Sequence, residues 1–209
     1  YERGVRLVGS EMCIRDSTQT ALKIFGANSI LEARELRRRA KMVNYALLYG
    51  KTAFTLAKDI GVTQKSAQEF IDAYFDEFPS VRSYIDQTLV EARKHGFVQT
   101  IYGRKRKVPE LTSKHGQIRA AAERVAVNMP IQGTAADILK MAMIDINSKL
   151  PENSLMILTV HDELLFEVPK TASDTVTSLV KERMEQVVSL DVPLIVDIGA
   201  GNNWKDAKS

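Results

Sequence analysis

Four residues at intervals of four, followed by a glycine, form the clearest chemical pattern in the chain: Arg37, Lys41, Tyr45, Tyr49 and Gly50. In an α-helix such a series lies along one side, so two cations and two aromatic rings project together. Cations offset phosphate charge, rings offer faces to sugars and bases, and a glycine lets the backbone leave the helix. The pattern suits a nucleoside triphosphate. It also suits a solvated amphipathic helix, and these residues alone leave both interpretations open.

The element that positions this stripe is a long helix, predicted from about Glu32 to Leu48. Its opposite side is apolar and would pack on a core through Leu36, Ala40, Val43 and Leu47. A short helix is predicted before it, from Ala21 to Phe25. Three more helices are expected to follow, over Thr52 to Ile60, Gln64 to Glu77 and Ser80 to Lys94, ended by Gly61, Pro79 and Gly96.

The second half of the chain changes from helix to strand. Val98 to Pro109 predicts a short strand and a basic turn, and the following helix, Gln117 to Asn128, is expected to break at Pro130 and restart near Thr134. Two apolar runs, 155–160 and 164–168, predict a hairpin, followed by a helix over 172–188 and a strand over 194–198. The fold class is therefore α+β, mostly helical first and sheet-containing later.

Three residues at the tip of that hairpin are His161, Asp162 and Glu163. Adjacent carboxylates on a fixed turn can hold Mg²⁺, which prefers oxygen ligands and leaves positions for phosphate and water. Asp and Glu are also ordinary turn residues, so the metal site remains one of two interpretations.

A second polar group lies on the helix before the hairpin and consists of Arg119, Glu123, Arg124, Asn128 and Gln132. Arginines and amides of this kind can contact acceptors in the minor groove of a duplex. Helix capping and ion pairing explain them equally well.

Composition indicates a globular protein of 209 residues, with 44% apolar and 26% charged residues and a net charge of +3. Charge is uneven: nine Lys or Arg between Arg93 and Arg124 face only Glu110 and Glu123, which favours a phosphate backbone or else a solvated loop. Without a signal peptide or spanning segment, and with Cys13 as the single cysteine, we expect a cytoplasmic protein. The chain starts at Tyr1, so we expect it to be a piece of a longer protein.

Three segments in order resemble the bacterial DNA polymerase I type, family A: RRRAKMVNYALLYG (37–50), AAERVAVNMPIQGTAADILKMAM (121–143) and VHDELLFEVP (160–169). The resemblance runs from about Thr18 to the C-terminus. It implies a right-hand polymerase fold, with mostly helical fingers over 18–127 and the C-terminal part of the palm, with an antiparallel sheet, over 128–209.

The resemblance also implies a role for each matching residue. Arg37 and Lys41 would grip the incoming dNTP, and Lys41 would neutralise charge, or donate a proton, as pyrophosphate leaves. Tyr45 would pack against the sugar, and Tyr49 would lie beside the templating base. Asp162 and Glu163 would bind metal, two Mg²⁺ ions being expected in the intact enzyme. The residues expected to contact primer–template DNA are Arg119, Arg124, Asn128, Gln132 and His161. A monomer that acts in DNA replication and repair, without membrane attachment, is expected.

The sequence departs from the family in two places. Many relatives carry phenylalanine where this chain has Tyr45, whose hydroxyl could replace a contact of the substrate 3′-hydroxyl, so we expect weak rejection of dideoxynucleotides. Residues 1–17 do not resemble the family and look like a foreign leader. The palm motif of the form DYSQIELR, which supplies another metal-binding aspartate, is missing, and Ser17 stands where the family has a histidine.

A carboxylate pair without its partner across the cleft would hold metals poorly, so the chain as written is expected to be inactive alone. The alternative is a non-catalytic nucleic-acid-binding module. In either case the truncated sheet would lack a strand and expose an edge.

Overall fold

The computed structural model describes residues 2–6, 38, 40–43, 46–47 and 50–208, and it is mostly helical with two small antiparallel sheets. The helices are α1 (Ala53–Ile60), α2 (Gln64–Glu77), α3 (Pro79–His95), α4 (Gly116–Asn147) and α5 (Ser173–Glu185). The strands are β1 (Glu2–Arg6), β2 (Phe97–Gln99), β3 (Lys105–Lys107), β4 (Leu155–Val160) and β5 (Glu163–Val168). In the described part of the chain, no helix is long and apolar enough to cross a bilayer.

The chain divides into two compact units, one comprising Tyr1–Ser10 with Ala135–Ser209 and the other Glu11–Thr134. This division follows contacts within the chain and falls a few residues after the predicted boundary at 127. The assignment of fingers, palm and leader stays a prediction.

In the unit Glu11–Thr134, the helical residues Ala40, Val43 and Leu47 are buried, and Lys41 is exposed. The predicted apolar stripe is therefore the buried side of this segment, although Leu36 and the predicted helix at 21–25 lie outside the described residues. Val43 and Leu47 share a core with α1 and α2 through residues that include Leu56 and Ile71.

Helices α1, α2 and α3 agree with the predictions because their end signals act locally. Thr52 and Thr63 cap α1 and α2 by accepting hydrogen bonds from Thr55 N–H (3.4 Å) and Ser66 N–H (3.1 Å). Pro79 stands at the first position of α3, where its missing N–H costs nothing.

The predicted break at Pro130 is wrong, because α4 runs without interruption from Gly116 to Asn147. A proline inside a helix loses one hydrogen bond and crowds the preceding turn. Here packing outweighs that cost, since Ala126 and Met129, in the turn before Pro130, are buried against α3 and the β2–β3 hairpin. Thr134, predicted to start a new helix, instead donates its hydroxyl to the Pro130 carbonyl at 2.5 Å.

In the other unit, three strands form a sheet in the order β1-β5-β4. The predicted hairpin is confirmed as β4 and β5, which pair with Val160 opposite Glu163. Within residues 1–17, for which the sequence analysis predicts no helix or strand, the structure has β1: Glu2 pairs with Val168 and Arg6 with Glu163. Strand β4 lies at an edge of the described sheet, and Leu155, Ile157 and Leu158 on it are exposed.

The core of this unit lies between β5, the end of α4 and α5, and includes Ile146, Phe166 and Val180. The helix predicted over 172–188 corresponds to α5. The strand predicted over 194–198 is wrong: Asp197 alone forms a bridge. The buried Val196 donates its N–H to Glu185 Oε1 at 3.0 Å, so a side chain takes the donor that a strand ladder would use.

Candidate nucleic-acid interface and carboxylate turn

Three of the residues expected to contact DNA line one cleft of about 500 Å³ in the unit Glu11–Thr134. Arg124, Asn128 and Gln132 follow each other at one-turn intervals on α4, so they lie on one side of the helix. Two cations from other elements, Lys51 and Arg106, line the same cleft. A row of one arginine and two amides flanked by further cations can bind phosphate oxygens and the acceptors of base edges.

The sequence places these side chains at the surface because the other side of α4 is apolar. Ala122 and Ala126 are buried there with Val98 and Leu111. The side chains of Arg124 and Gln132 are exposed, and Asn128 is half-buried.

Sequence reasoning missed Lys51 and placed Arg106 only within a basic turn. Lys51 directly follows the cationic stripe, and its ammonium pairs with Asp59 at 2.6 Å. Arg106 lies in the exposed strand β3, whose Lys105 ammonium sits 4.5 Å from the centre of the Phe97 ring. The position of Lys51, one residue after Gly50, was the sequence signal that could have indicated its place in the cleft.

Gly50 follows the helical residues Ala46 and Leu47, the end of the segment that we call the stripe helix, and lies close to Arg124. Its φ is +63°, and the N–H groups of Gly50 and Lys51 bond the carbonyls of Leu47 (3.0 Å) and Ala46 (2.7 Å), as at a helix end with a left-handed residue. A Cβ on Gly50 would stand 3.0 Å from Arg124 Cγ. Glycine therefore provides both the left-handed turn and the close approach to Arg124.

The other members of the predicted stripe, Arg37, Tyr45 and Tyr49, lie outside the described residues. Lys41 is described and exposed. Their roles toward a nucleotide stay predictions.

Arg119 and Glu123 do not line the cleft. Arg119 Nη1 donates to the Ser113 carbonyl at 3.0 Å, and Glu123 Oε1 pairs with Arg93 Nη2 at 2.5 Å. Both contacts join α4 to neighbouring elements, as the ion-pairing interpretation expects, and the assignment of Arg119 to DNA stays a prediction.

The carboxylate turn belongs to the unit with Ala135–Ser209 and is described by itself. His161 and Asp162 form a two-residue turn between β4 and β5, and both are exposed. His161 has φ +55°, a left-handed conformation that costs a non-glycine residue about 1–2 kcal/mol. Glu163, the first residue of β5, accepts a hydrogen bond from Trp204 Nε1 at 3.3 Å. A two-residue hairpin turn requires positive φ at one or both of its central positions, so the turn itself explains this conformation.

As a candidate Mg²⁺ site, the turn offers Asp162 and Glu163. Mg²⁺ is commonly bound by one or two carboxylates together with substrate phosphates, so the donor chemistry fits one ion with an incomplete protein shell. Among the described residues, no group of three or more His, Cys, Asp or Glu side chains stands close enough to hold a metal ion. A two-ion site would need ligands beyond those described.

Comparison with known proteins matches nearly the whole sequence to one family. The sequence model of DNA polymerase family A matches residues 17–206. The thermostable DNA polymerase I of Thermus filiformis is 46% identical over 192 residues, which cover 91% of this chain and 23% of that protein. DNA polymerase I of Bacillus subtilis (strain 168) is 45% identical over 194 residues, covering 91% and 22%. The chain thus spans less than a quarter of the length of these relatives.

Among solved structures, the chain is similar to the POL domain of Pol1 from M. smegmatis, determined in complex with DNA primer-template and dNTP. The TM-score is 0.89 and the sequence identity 36%, and the match covers 100% of this chain and 40% of that one.

Proposed function

Because the chain belongs to DNA polymerase family A, we propose that it is the fingers and the C-terminal part of the palm of a DNA-directed DNA polymerase. The observation that carries this proposal is the cleft in which Arg124, Asn128 and Gln132 meet the cations Lys51 and Arg106. Three of the five residues that the family resemblance assigns to DNA contact thus share one surface, and that surface is basic. Residues 18–127 would be the fingers and 128–209 the palm part, after a foreign leader.

In this proposal the cleft binds the primer–template duplex. Arg124 and Arg106 contact phosphate oxygens, while Asn128 and Gln132 donate to minor-groove acceptors, which all base pairs present. Such contacts fix the duplex without selecting its sequence, as a replication and repair polymerase requires. His161 and Arg119 would add contacts to the DNA, His161 near the primer end.

The nucleotide would be bound by the cationic stripe. Arg37 and Lys41 hold the triphosphate, Tyr45 packs on the sugar, and Tyr49 lies beside the templating base. The reaction is in-line attack of the primer 3′-hydroxyl on the α-phosphate with loss of pyrophosphate, and Lys41 offsets the charge that develops on the leaving group. Asp162 and Glu163 would hold Mg²⁺, which supplies further charge neutralisation when bound.

DNA binding tests the cleft directly. Fluorescence anisotropy of a labelled primer–template would give the Kd of the purified 209-residue chain. Replacing Arg124 by Gln should raise the Kd about tenfold or more, the worth of a hydrogen bond to a charged group. The matched control is Arg82→Gln, which removes the same charge from an exposed arginine that pairs with Asp86 at 3.3 Å and does not line the cleft. Equal effects of the two variants would show that only overall charge matters.

The alternative function is a non-catalytic nucleic-acid-binding module, which would bind the same duplex as a polymerase but would not extend the primer. We propose that the chain as written binds duplex without extending it, because two carboxylates on one turn cannot clamp two ions from both sides. Template-dependent dNTP incorporation by the isolated chain would refute this inactivity and favour the polymerase without qualification. Duplex binding without dNTP incorporation would support the proposed inactivity.

A further inference from the structure

We propose that Gly133 and Thr134 are positioning residues that set where the β2–β3 hairpin sits on α4, and thereby hold Arg106 in the cleft. The DNA-binding part of this inference rests on the proposed function, whereas the docking itself does not.

The first contact is a hydroxyl shared between the hairpin and the helix. Thr134 Oγ1 accepts a hydrogen bond from the N–H of Ile101 at 3.2 Å and donates one to the carbonyl of Pro130 at 2.5 Å. The bond to Pro130 fixes the rotation of the hydroxyl, which leaves a lone pair for Ile101. The turn of the hairpin is therefore tied to one turn of α4.

The second contact is a close approach that only glycine permits. A Cβ on Gly133 would lie 2.7 Å from Thr100 Cγ2, closer than two carbon atoms can pack. Thr100 has little room to move, since it is 2% exposed and its own turn holds it. Its N–H donates to the Arg104 carbonyl at 3.0 Å, and its Oγ1 accepts from the Arg104 N–H at 3.1 Å.

These contacts matter to the cleft because the hairpin carries Arg106. Strand β3 pairs with β2 so that Arg106 stands opposite Val98, which is buried in the core with α4. Arg106 then lines the same cleft as Arg124, Asn128 and Gln132. A hairpin displaced from Gly133 and Thr134 would move the Arg106 guanidinium relative to the three α4 side chains.

Hydrogen exchange tests the docking without any ligand. In the Thr134→Val variant the Ile101 amide loses its acceptor, so its exchange in NMR should accelerate about threefold to tenfold, the worth of one hydrogen bond. Thr134→Ser keeps the hydroxyl and should keep the protection. Unchanged Ile101 exchange in Thr134→Val would overturn the proposal.

A rescue pair tests the close approach through DNA affinity. Gly133→Ala should raise the Kd for a primer–template duplex about threefold to tenfold because it displaces the hairpin. Adding Thr100→Ser removes the methyl group that the new Cβ meets and keeps the hydroxyl, so the double variant should regain most of the affinity. Absence of rescue in a folded double variant would overturn the proposal. If Gly133→Ala fails to fold, the Kd values of Thr134→Val and Thr134→Ser in the same assay decide.

Coupling to Arg106 separates positioning from general stability. In an Arg106→Gln background, Gly133→Ala should have little further effect on the Kd, because the contact through which it acts is already lost. In a Lys105→Gln background, one residue away on the same strand, the two effects should add. If the effects of Gly133→Ala and Arg106→Gln on the binding free energy were additive, the proposal that Gly133 acts through Arg106 would be overturned. A wild-type chain that binds no duplex would refute the proposed function, while the exchange comparison would still decide the docking.

Discussion

Two glycines of nearly equal backbone conformation, Gly50 and Gly61, allow the effect of crowding Arg124 to be separated from the cost of placing alanine in a left-handed conformation. Gly50 has φ +63° and Gly61 has φ +69°. Each ends a helix with the same type of hydrogen bond, from Lys51 N–H to Ala46 O at 2.7 Å in one case and from Val62 N–H to Ala57 O at 3.0 Å in the other. They differ in their surroundings: a Cβ on Gly50 meets Arg124 Cγ at 3.0 Å, and one on Gly61 meets nothing within 4 Å.

Alanine at either position adopts a left-handed conformation at a cost of about 1–2 kcal/mol. It also restricts the unfolded chain, which returns about 0.4–1 kcal/mol. Each variant should therefore lose about 1 kcal/mol of unfolding free energy, and the two losses should agree. The additional contact at Gly50 is with a flexible side chain, so Arg124 should move by a few tenths of an ångström while the fold is kept.

The displacement of Arg124 should appear in DNA affinity and hardly in stability. We expect Gly50→Ala to raise the Kd for a primer–template duplex about threefold to tenfold, part of the worth of a charged hydrogen bond, and Gly61→Ala to leave it nearly unchanged. Urea unfolding gives the stability of each variant, and anisotropy at fixed salt gives the Kd. Equal Kd values for the two variants would refute the reasoning that Gly50 positions Arg124.

Three further predictions concern other parts of the chain. His161→Gly and the control Asn153→Gly each replace a left-handed residue, at φ +55° and +61°, so the free energy of unfolding in urea should change by less than about 1 kcal/mol in either variant. Only His161→Gly should weaken duplex binding. Equal Kd values for the two variants would argue against a DNA contact by His161. In an active family A polymerase that carries this segment, Tyr45→Phe should increase rejection of dideoxynucleotides about tenfold or more in a primer-extension competition, because the hydroxyl contact is lost, and unchanged rejection would contradict this. Burial raises the pKa of the Tyr84 phenol, against the smaller effect of its hydrogen bond with Thr88, so the folded state favours the protonated form, which donates to the Val127 carbonyl at 3.4 Å. The stability from Tyr84 should be complete below about pH 10 and fall as the pH rises through the raised pKa, and Tyr84→Phe should remove that fall in urea unfolding followed across this range.

Local signals predicted the elements that depend on local interactions. Threonine caps and the end signals Gly61 and Gly96 define α1 to α3, and two apolar runs on either side of a short polar turn define the β4–β5 hairpin. The predictions failed where contacts between segments distant in sequence determine the local structure. At Pro130 the local rule is broken because Ala126 and Met129 are buried with Ala92 and Val98, which belong to α3 and β2 and are distant in sequence. Near Val196, a carboxylate of α5 takes the N–H that a strand would use.

The candidate site shows the same division. The one-turn spacing of Arg124, Asn128 and Gln132 is contained in the sequence, because helix periodicity alone puts them on one side. Their partners are not: Lys51 and Arg106 reach the cleft from segments outside α4, and the hairpin that carries Arg106 is held on α4 by packing and by the Ile101–Thr134 hydrogen bond. No periodicity relates Gly50 to Arg124 or Gly133 to Thr100, since each pair meets through the close approach of two backbone segments.

The sequence by itself determined the family, the row on α4 and the carboxylate turn, because residue type and helical or strand period fix which side chains share a side of an element. The cationic stripe, predicted from the same periodicity, stays a prediction. Only the tertiary structure decided that α4 continues through Pro130, that β1 pairs with β5, and that a basic hairpin closes one side of the cleft. Those outcomes depend on burial and hydrogen bonds between segments far apart in the chain, where many weak contacts together outweigh the preference of any single residue.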